Sequence, residues 1–321
     1  PIFFIYLFCS MSVIISSIVN QSMNWTFSLS ETMPTDHLRF QTSTHAERNA
    51  TFLHPEISSI DRQVTIVLDD VTSDVSSQGN ASVEQGEVVP GNTFFWRGRY
   101  GADFGDAETL DTQLNVLEGF DPIVPESYKN CECLMLGNLM PSIQQKVLDQ
   151  LEKRPKLIVL DTMNFWMDNF MNDLINALKN IDVLTINDEE ARQLSQEHSL
   201  LKAAKKILNL GPKIVIIKKG EHGALLFNKK EIFFAPALPL EQVFDPTGAG
   251  DTFAGGVVGH LCATKDYSFE NMKRAVIIGS TMASFCVEKF GTARMNGLEI
   301  KAINKRVKQL EELVRFKSLE S

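Results

Sequence analysis

The segment "DPTGAGDTFAGG", Asp245–Gly256, combines glycines with acids just before residues that can form a helix. Gly248 and Gly250 permit backbone angles that other residues resist. The first N–H groups of a helix lack internal partners and lie at the positive end of its dipole, so such a segment attracts an anion. A carboxylate repels an anion. The segment therefore predicts an anion site and leaves open why Asp251 lies beside it.

Two more polar motifs follow apolar runs that are typical of buried strands. "NDEEA", which begins at Asn187, follows "VLTI", and "KKGEHG", which begins at Lys218, follows "KIVII". In parallel sheets, ligands bind beyond the carboxyl ends of the strands. The polar motifs therefore lie where such a fold places its ligand.

The elements that must position these motifs alternate along the chain from about residue 93. Short apolar runs such as "KLIVLD" predict strands, and the stretches between them show helical spacing. This alternation indicates a mostly parallel sheet covered by helices on both faces. "GALLF" and "EIFFAPA" form a predicted antiparallel pair, and "TFFWRGRY" predicts a further strand. The helices predicted after the glycine-rich segment are Asp251–Ala263, Phe269–Lys289 and Leu298–Phe316.

"DPTGAGDTFAGG" resembles the C-terminal signature of the ribokinase, or PfkB-type, carbohydrate kinase family. "NDEEA" resembles the N-x-x-E motif of that family, and "IIKKGEHGALLF" resembles its nucleotide-side strand and turn. The resemblance runs from about residue 79 to about residue 315. It implies an α/β fold, a three-layer α/β/α sandwich with a small β lid, in which ATP donates a phosphoryl group.

Phosphoryl transfer needs positioning, charge neutralisation and an acceptor for the hydroxyl proton. The resemblance implies that the N–H groups of Ala249, Gly250 and Asp251, which follow Gly248, bind the γ-phosphate. Asp251 would take the proton from the hydroxyl of the substrate, which gives a reason for an acid beside an anion site. The alternative is that Asp251 only caps the helix.

Cation sites are also implied. Asn187 and Glu190 are three residues apart at a predicted helix start, so they face the same way and can hold Mg²⁺ or its waters. An ordinary capped helix start is the alternative. The resemblance further implies a monovalent cation such as K⁺ beside the loop that contains Asp245 and Thr247, with Gly291 on the other side of the ion.

The nucleotide has further candidate contacts. Lys219 and Gly220 resemble residues beside the nucleotide phosphates or ribose, and Lys218 is the competing lysine. Either lysine can instead be solvated. Ser280 and Ala283 match positions near the adenine, and a place in the core of their helix explains them equally well.

The stretch that contains Trp96, Arg97 and Arg99 matches the later strands of the family's lid, which covers the sugar. These side chains are candidates for substrate contacts. The alternative is a partly buried β ribbon with a charged edge. Lids of this family often pair, so the resemblance also implies a possible homodimer.

The chain changes character near residue 79. Residues 1–78 contain none of the 19 glycines, whereas about 7% glycine is usual, and Ser and Thr make up 21 of those residues. The early Gly-Gly motif that contacts the substrate in the resembled family is therefore absent. We interpret residues 1–78 as an atypical leader of uncertain origin, and residues 79–321 as a kinase domain that is incomplete at its N-terminal end.

An uncharged apolar run, Ile2–Val19, is at the lower edge of a membrane-spanning length but lacks the basic region of a signal peptide. A membrane anchor is one interpretation; a leader that is foreign to the domain is the other. The chain has five cysteines without a regular framework, which favours a reducing compartment, and we expect a cytoplasmic protein. A net charge of −9 argues against a nucleic-acid partner.

The sequence thus predicts an ATP-dependent kinase that phosphorylates a hydroxymethyl group of a sugar. A nucleoside kinase of the same family is one alternative, because an aromatic lid suits a nucleobase. A catalytically inactive, nucleotide-binding remnant is another, because the substrate half of the resembled family is missing from the sequence.

Overall fold

The computed structural model describes residues 2–5, 62–67, 92, 95–100, 108–291 and 293–317. The chain divides into two compact units. One comprises Pro1–Trp25 together with Pro122–Ser321, and the other comprises Thr26–Asp121. The domain boundary that we place at residue 79 stays a prediction.

The larger unit contains a mostly parallel sheet. Within the described residues its strand order is β1-β5-β6-β7-β8-β9-β10, with parallel pairs from β1 to β8 and antiparallel pairs between β8, β9 and β10. The smaller unit contains an antiparallel sheet, β2-β3-β4. Numbered along the chain, the strands are β1 (Ile2–Ile5), β2 (Arg62–Val67), β3 (Phe95–Tyr100), β4 (Glu108–Gln113), β5 (Cys133–Leu136), β6 (Leu157–Asp161), β7 (Val183–Asn187), β8 (Ile214–Lys218), β9 (Ala224–Phe227) and β10 (Ile232–Ala235).

Helices follow most of the parallel strands and cover the sheet. Short 3₁₀ helices span Asn115–Gly119, Glu126–Tyr128 and Gly220–His222. The α-helices of the described residues are α1 (Pro141–Asp149), α2 (Asn164–Asn169), α3 (Met171–Leu178), α4 (Asp188–Ser195), α5 (Leu200–Leu208), α6 (Ala249–Thr264), α7 (Phe269–Cys286) and α8 (Ile300–Val314).

Strand β6 shows how both faces of the sheet are buried. Ile158 and Leu160 belong to a core that includes side chains of α1, α3, α4 and α5. Leu157 and Val159 point to the opposite face and belong to a second core with α6 and α7. Successive side chains of a strand alternate between its faces, so a continuous apolar run is what a doubly covered strand requires. The predicted three-layer sandwich is confirmed.

The apolar run at the start of the chain is partly in the sheet. Ile2–Ile5 pairs in parallel with Cys133–Leu136. The rest of Ile2–Val19 lies outside the described residues. Of the helices that are described, none combines the length and the apolar character needed to cross a membrane.

Helices α6 and α7 approach each other closely at two glycines. A Cβ atom added to Gly279 would lie 2.7 Å from the backbone oxygen of Phe253, and one added to Gly256 would lie 2.9 Å from the Cα of Gly279. The absence of side chains here lets the two helix backbones meet. This contact fixes the position of α6, whose first turn is the predicted anion site.

We expect Gly279→Ala to lower the free energy of unfolding by about 1–3 kcal/mol, because the new methyl group collides with backbone that cannot rotate away. Urea unfolding followed by circular dichroism measures the change. Gly119→Ala is the control, since nothing lies within 4 Å of its added Cβ. An unchanged unfolding midpoint for Gly279→Ala would contradict the close helix contact.

Candidate active site

Three neighbouring parallel strands end in polar residues at one edge of the sheet. Strand β6 ends at Asp161, β7 ends at Asn187, and β8 ends at Lys218. Asn187 and Lys218 are directly paired in register across β7 and β8. The side chains that follow the strands therefore converge beyond their carboxyl ends, where parallel sheets bind ligands.

The glycine-rich segment forms the start of α6, as predicted. Gly248 adopts a φ of 81°, in the region that favours glycine, and α6 begins at the next residue. The N–H of Ala249 donates to the carbonyl of Pro246 at 3.1 Å, so this predicted phosphate donor already serves the turn. Gly250 and Asp251 lie in the first turn of α6, at the positive end of the helix dipole.

Lys218 packs against the start of α6. A Cβ atom at Gly250 would lie only 3.2 Å from the Nζ of Lys218, so glycine makes room for the ammonium group. The Nζ donates to both carboxylate oxygens of Asp161, at 3.2 and 3.1 Å. The side chains of Lys218 and Asp161 are 17% and 4% exposed. This ion pair is therefore shielded from water.

The electrostatics of Lys218 reflect several carboxylates. Burial disfavours its charged form, but the negative charges of Asp161, Glu190 and Asp251 outweigh burial and raise the pKa of Lys218 above its usual value. Its ammonium group thus stays protonated at neutral pH. The negative charges of Glu190 and Asp251, both predicted site residues, thus contribute to the raised pKa of the same lysine.

Asn187 and Glu190 form a reciprocal cap at the start of α4. The Oδ1 of Asn187 accepts from the N–H of Glu190 at 2.7 Å, and the Oε2 of Glu190 accepts from the N–H of Asn187 at 2.8 Å. This is a capping box. The ordinary capped helix start, which is the alternative role for Asn187 and Glu190, is therefore present. A metal-binding role would be additional to this cap.

Asp245 has a buried oxygen that calls for a partner. Its Oδ1 accepts from the N–H of Thr247 at 2.9 Å, whereas its Oδ2 is buried and has no hydrogen-bond partner among the described residues. The N–H of Asp245 donates to the carbonyl of Val287 at 3.3 Å, which ties the loop to the segment after α7. Gly291, in that segment, has a φ of 55°. A buried carboxylate oxygen without a donor has room for a bound water or a cation as its partner.

The remaining predicted nucleotide contacts are more dispersed. Lys219 precedes the 3₁₀ helix at Gly220, and its N–H donates to the carbonyl of Gly223 at 2.8 Å. The hydroxyl of Ser280 donates to the carbonyl of Pro236 at 2.6 Å. Neither of these hydrogen bonds involves Asp161 or the first turn of α6.

Ala283 packs against the core on the α6 and α7 side of the sheet. Its position is compatible with the core role that the sequence leaves open. The adenine role of Ala283 and of Ser280 stays a prediction.

The predicted lid residues lie in the smaller unit. On β3, the Nε1 of Trp96 donates to the hydroxyl of Thr109 at 3.3 Å, and Arg97 is half-buried. The side chain of Arg99 lies outside the described atoms. Their contacts with a substrate stay predictions.

Asp161 is a candidate site residue that the sequence did not reveal. Lys218 was given only as the alternative to Lys219 for the contact with the nucleotide. The signal for Asp161 was available, because an acid ends the apolar run "KLIVLD". What the pattern does not show is that the two residues, 57 positions apart in the chain, become neighbours.

Comparisons with known proteins agree with this geometry. The profile of the family described as pfkB family carbohydrate kinase matches residues 88–298. Cytidine kinase of Thermococcus kodakarensis is 28% identical over 175 residues, which are 53% of this chain and 62% of that protein. Ribokinase of Staphylococcus aureus is 32% identical over 125 residues, which are 37% of this chain and 38% of that protein.

A solved structure shows the same fold. Nucleoside kinase of Methanocaldococcus jannaschii, described as an archaeal member of the ribokinase family, has a TM-score of 0.50 and 19% identity over 65% of this chain and 66% of its own. The chain spans less than two thirds of the length of the two curated relatives. The family profile matches more than half of the chain, with the glycine-rich segment inside the match. The chain belongs to the PfkB family of carbohydrate kinases.

Proposed function

We propose that this chain transfers the γ-phosphoryl group of ATP to a hydroxymethyl group of a sugar. The observation that carries the proposal is the convergence of charged groups on the first turn of α6. Asp251 lies in that turn, Gly250 opens its surface, and Lys218 lies against Gly250. The family match supports the same chemistry.

The proposed reaction uses Asp251 as the proton acceptor. The hydroxyl oxygen of the substrate attacks the γ-phosphorus, its proton passes to the carboxylate of Asp251, and the bond to the β-phosphate oxygen breaks with its electron pair leaving on ADP. The N–H groups of Gly250 and Asp251 stabilise the charge on the transferred group, as oriented backbone donors do in closed sites.

Magnesium fits beside this turn. Glu190 is 8% exposed and presents its carboxylate at the carboxyl edge of the sheet, next to the amide oxygen of Asn187. Oxygen ligands of this kind suit Mg²⁺, which would neutralise phosphate charge when bound. The capping box fixes both side chains in advance.

A monovalent cation such as K⁺ fits at Asp245. The buried Oδ2 of Asp245 lacks a donor among the described residues, and the segment that ends at Gly291 is tied to the same loop by the carbonyl of Val287. Cation binding here would neutralise a buried charge and steady the loop that leads into α6. We propose that Asp245, Thr247 and Gly291 surround the ion.

A nucleoside kinase is the second candidate function. The relative that supports it is the cytidine kinase of Thermococcus kodakarensis, whose match covers 53% of this chain. Trp96 in the smaller unit offers an aromatic side chain for a nucleobase. A homodimer through the lid, and a cytoplasmic location, remain proposals of the same kind.

We expect Asp251→Asn to lower kcat by about 10²–10⁴-fold, because the hydroxyl proton loses its acceptor, while ATP still binds. Coupled ADP release with ribose, fructose, cytidine or adenosine as acceptor measures turnover. Asp266→Asn is the control, since it removes the same charge two residues beyond the C-terminal end of α6. Equal trace rates for the wild type and Asp251→Asn would contradict the kinase proposal for this chain.

Glu190→Gln separates capping from metal binding. Glutamine preserves the acceptor of the capping box, so we expect the free energy of unfolding to fall by less than about 1 kcal/mol. The Mg²⁺ concentration for half-maximal rate should rise, because the charged ligand is lost. Glu189→Gln, at the exposed neighbouring position, should change neither quantity. An unchanged Mg²⁺ dependence for Glu190→Gln would argue that this pair only caps α4.

The cation proposal predicts a faster reaction in K⁺ than in tetramethylammonium at equal ionic strength, because the larger ion cannot enter the Asp245 site. Asp245→Asn should remove this difference, since the charge that attracts the ion is gone. Steady-state rates in the two salts measure it. Equal wild-type rates in both salts would refute a functional cation site.

A further inference from the structure

Lys218 is a buried cation that the proposed reaction has not yet used. Its Nζ lies 3.1 Å from one oxygen of Asp161 and 3.2 Å from the other. The same atom lies 3.2 Å from the point where a side chain at Gly250 would begin. The ammonium group therefore touches the first turn of α6 from the sheet side.

Two positive features face the same space there. The ammonium of Lys218 carries a full charge, and the N-terminus of α6 carries the positive end of a helix dipole. Asp161 already compensates the charge of the ammonium group. Because Gly250 has no side chain, the ammonium lies directly beside the first turn of α6, so a phosphoryl group bound there could accept from both the lysine and the helix start.

Acidic side chains hold the lysine in place before an anion arrives. Asp161 is bound directly, and the charges of Glu190 and Asp251 act on the same ammonium group. Asp161 is itself fixed, because its Oδ1 also accepts from the N–H of Thr162 at 3.0 Å. The ammonium is thus charged, oriented and shielded from water while the site is open.

We propose that Lys218 is a further catalytic residue, whose ammonium group donates to an oxygen of the γ-phosphoryl group as it is transferred. Asp161 is the positioning residue that aims the ammonium at the start of α6. The proposal rests on the proposed kinase function and deepens it. Lys218, rather than the predicted Lys219, is then the lysine that contacts the phosphate.

A purely structural ion pair is the competing explanation, and a second, more exposed lysine–aspartate pair serves for comparison. Just before β8, at the opposite end of that strand from Lys218, Lys213 donates to Asp182 at 2.8 Å; the side chains of Lys213 and Asp182 are 74% and 9% exposed, and Asp182 also pairs with Arg154. Lys213→Met therefore removes a lysine bound to a shielded aspartate far from the start of α6. Both variants lose an ion pair, but only Lys218→Met loses the proposed phosphate contact.

The experiment compares Lys218→Met, Lys219→Met and Lys213→Met in the full chain. We expect Lys218→Met to lower kcat by about 10²–10³-fold, the cost of removing one donor to a developing charge, with a smaller change in the KM for the sugar. It should also weaken binding of ATP more than binding of ADP, because only ATP carries the γ-phosphoryl group. Lys213→Met should change none of these quantities.

Asp161→Asn tests the positioning role. The lysine remains but is no longer held by a charge, so kcat should fall less than in Lys218→Met. The double variant combines Lys218→Met with Asp161→Asn and so removes both charges of the buried pair. It serves in case Lys218→Met alone misfolds because the Asp161 carboxylate is left buried without its cation. Its kcat should match that of Lys218→Met, since the two residues act as one unit.

The outcomes separate this inference from the kinase proposal. An active wild type with unchanged kcat in Lys218→Met, or in the folded double variant, would overturn the role of Lys218 and leave the kinase proposal intact. A fall of kcat in Lys219→Met but not in Lys218→Met would likewise overturn the role of Lys218 and leave the kinase proposal intact. If the wild type phosphorylates no acceptor, the ratio of ATP to ADP affinity still decides: an equal ratio in Lys218→Met and wild type overturns the inference.

Discussion

The structure depends on keeping one lysine charged inside the protein. Removing an ammonium group from water is costly unless carboxylates compensate it. Lys218 meets this condition because Asp161 binds it directly and the charges of Glu190 and Asp251 reach it. Each of these acids comes from a different element, so β6, α4 and α6 together build the surroundings of the ammonium group at the end of β8. The cluster therefore links the geometry of the sheet to the first turn of α6.

Two features of the fold provide this arrangement. Parallel strands β6, β7 and β8 end side by side, so the residues at their carboxyl ends meet without long loops. Helix α6 then reaches the same edge because its glycines allow contact with α7, and because the carbonyl of Val287 holds the loop before it. Substitutions at the contact between α6 and α7 thus change the position of the first turn of α6. Substitutions of Lys218 or its acidic partners change the charge around that turn.

Local patterns predicted much of this architecture. The antiparallel pair β9 and β10 and the helix start in "DPTGAGD" were readable because neighbouring residues determine them. The capping box of Asn187 and Glu190 was present in the sequence as an alternative for the same reason. The pair of Lys218 with Asp161 was not readable, because it joins the ends of two strands that are not adjacent in the chain. The buried oxygen of Asp245, which has no donor among the described residues, is likewise not readable, because its loop is bound to the carbonyl of Val287, far along the chain.

The most direct test is a crystal structure of the full chain with ADP, Mg²⁺ and aluminium fluoride, which imitates the phosphoryl group during transfer. We expect the fluoride group to lie against the N–H groups of Gly250 and Asp251, with the ammonium of Lys218 within hydrogen-bond distance and the carboxylate of Asp251 on the side open to the acceptor. Phosphates bound elsewhere, or a fluoride group beyond the reach of Lys218 with its Asp161 pair unchanged, would contradict this expectation.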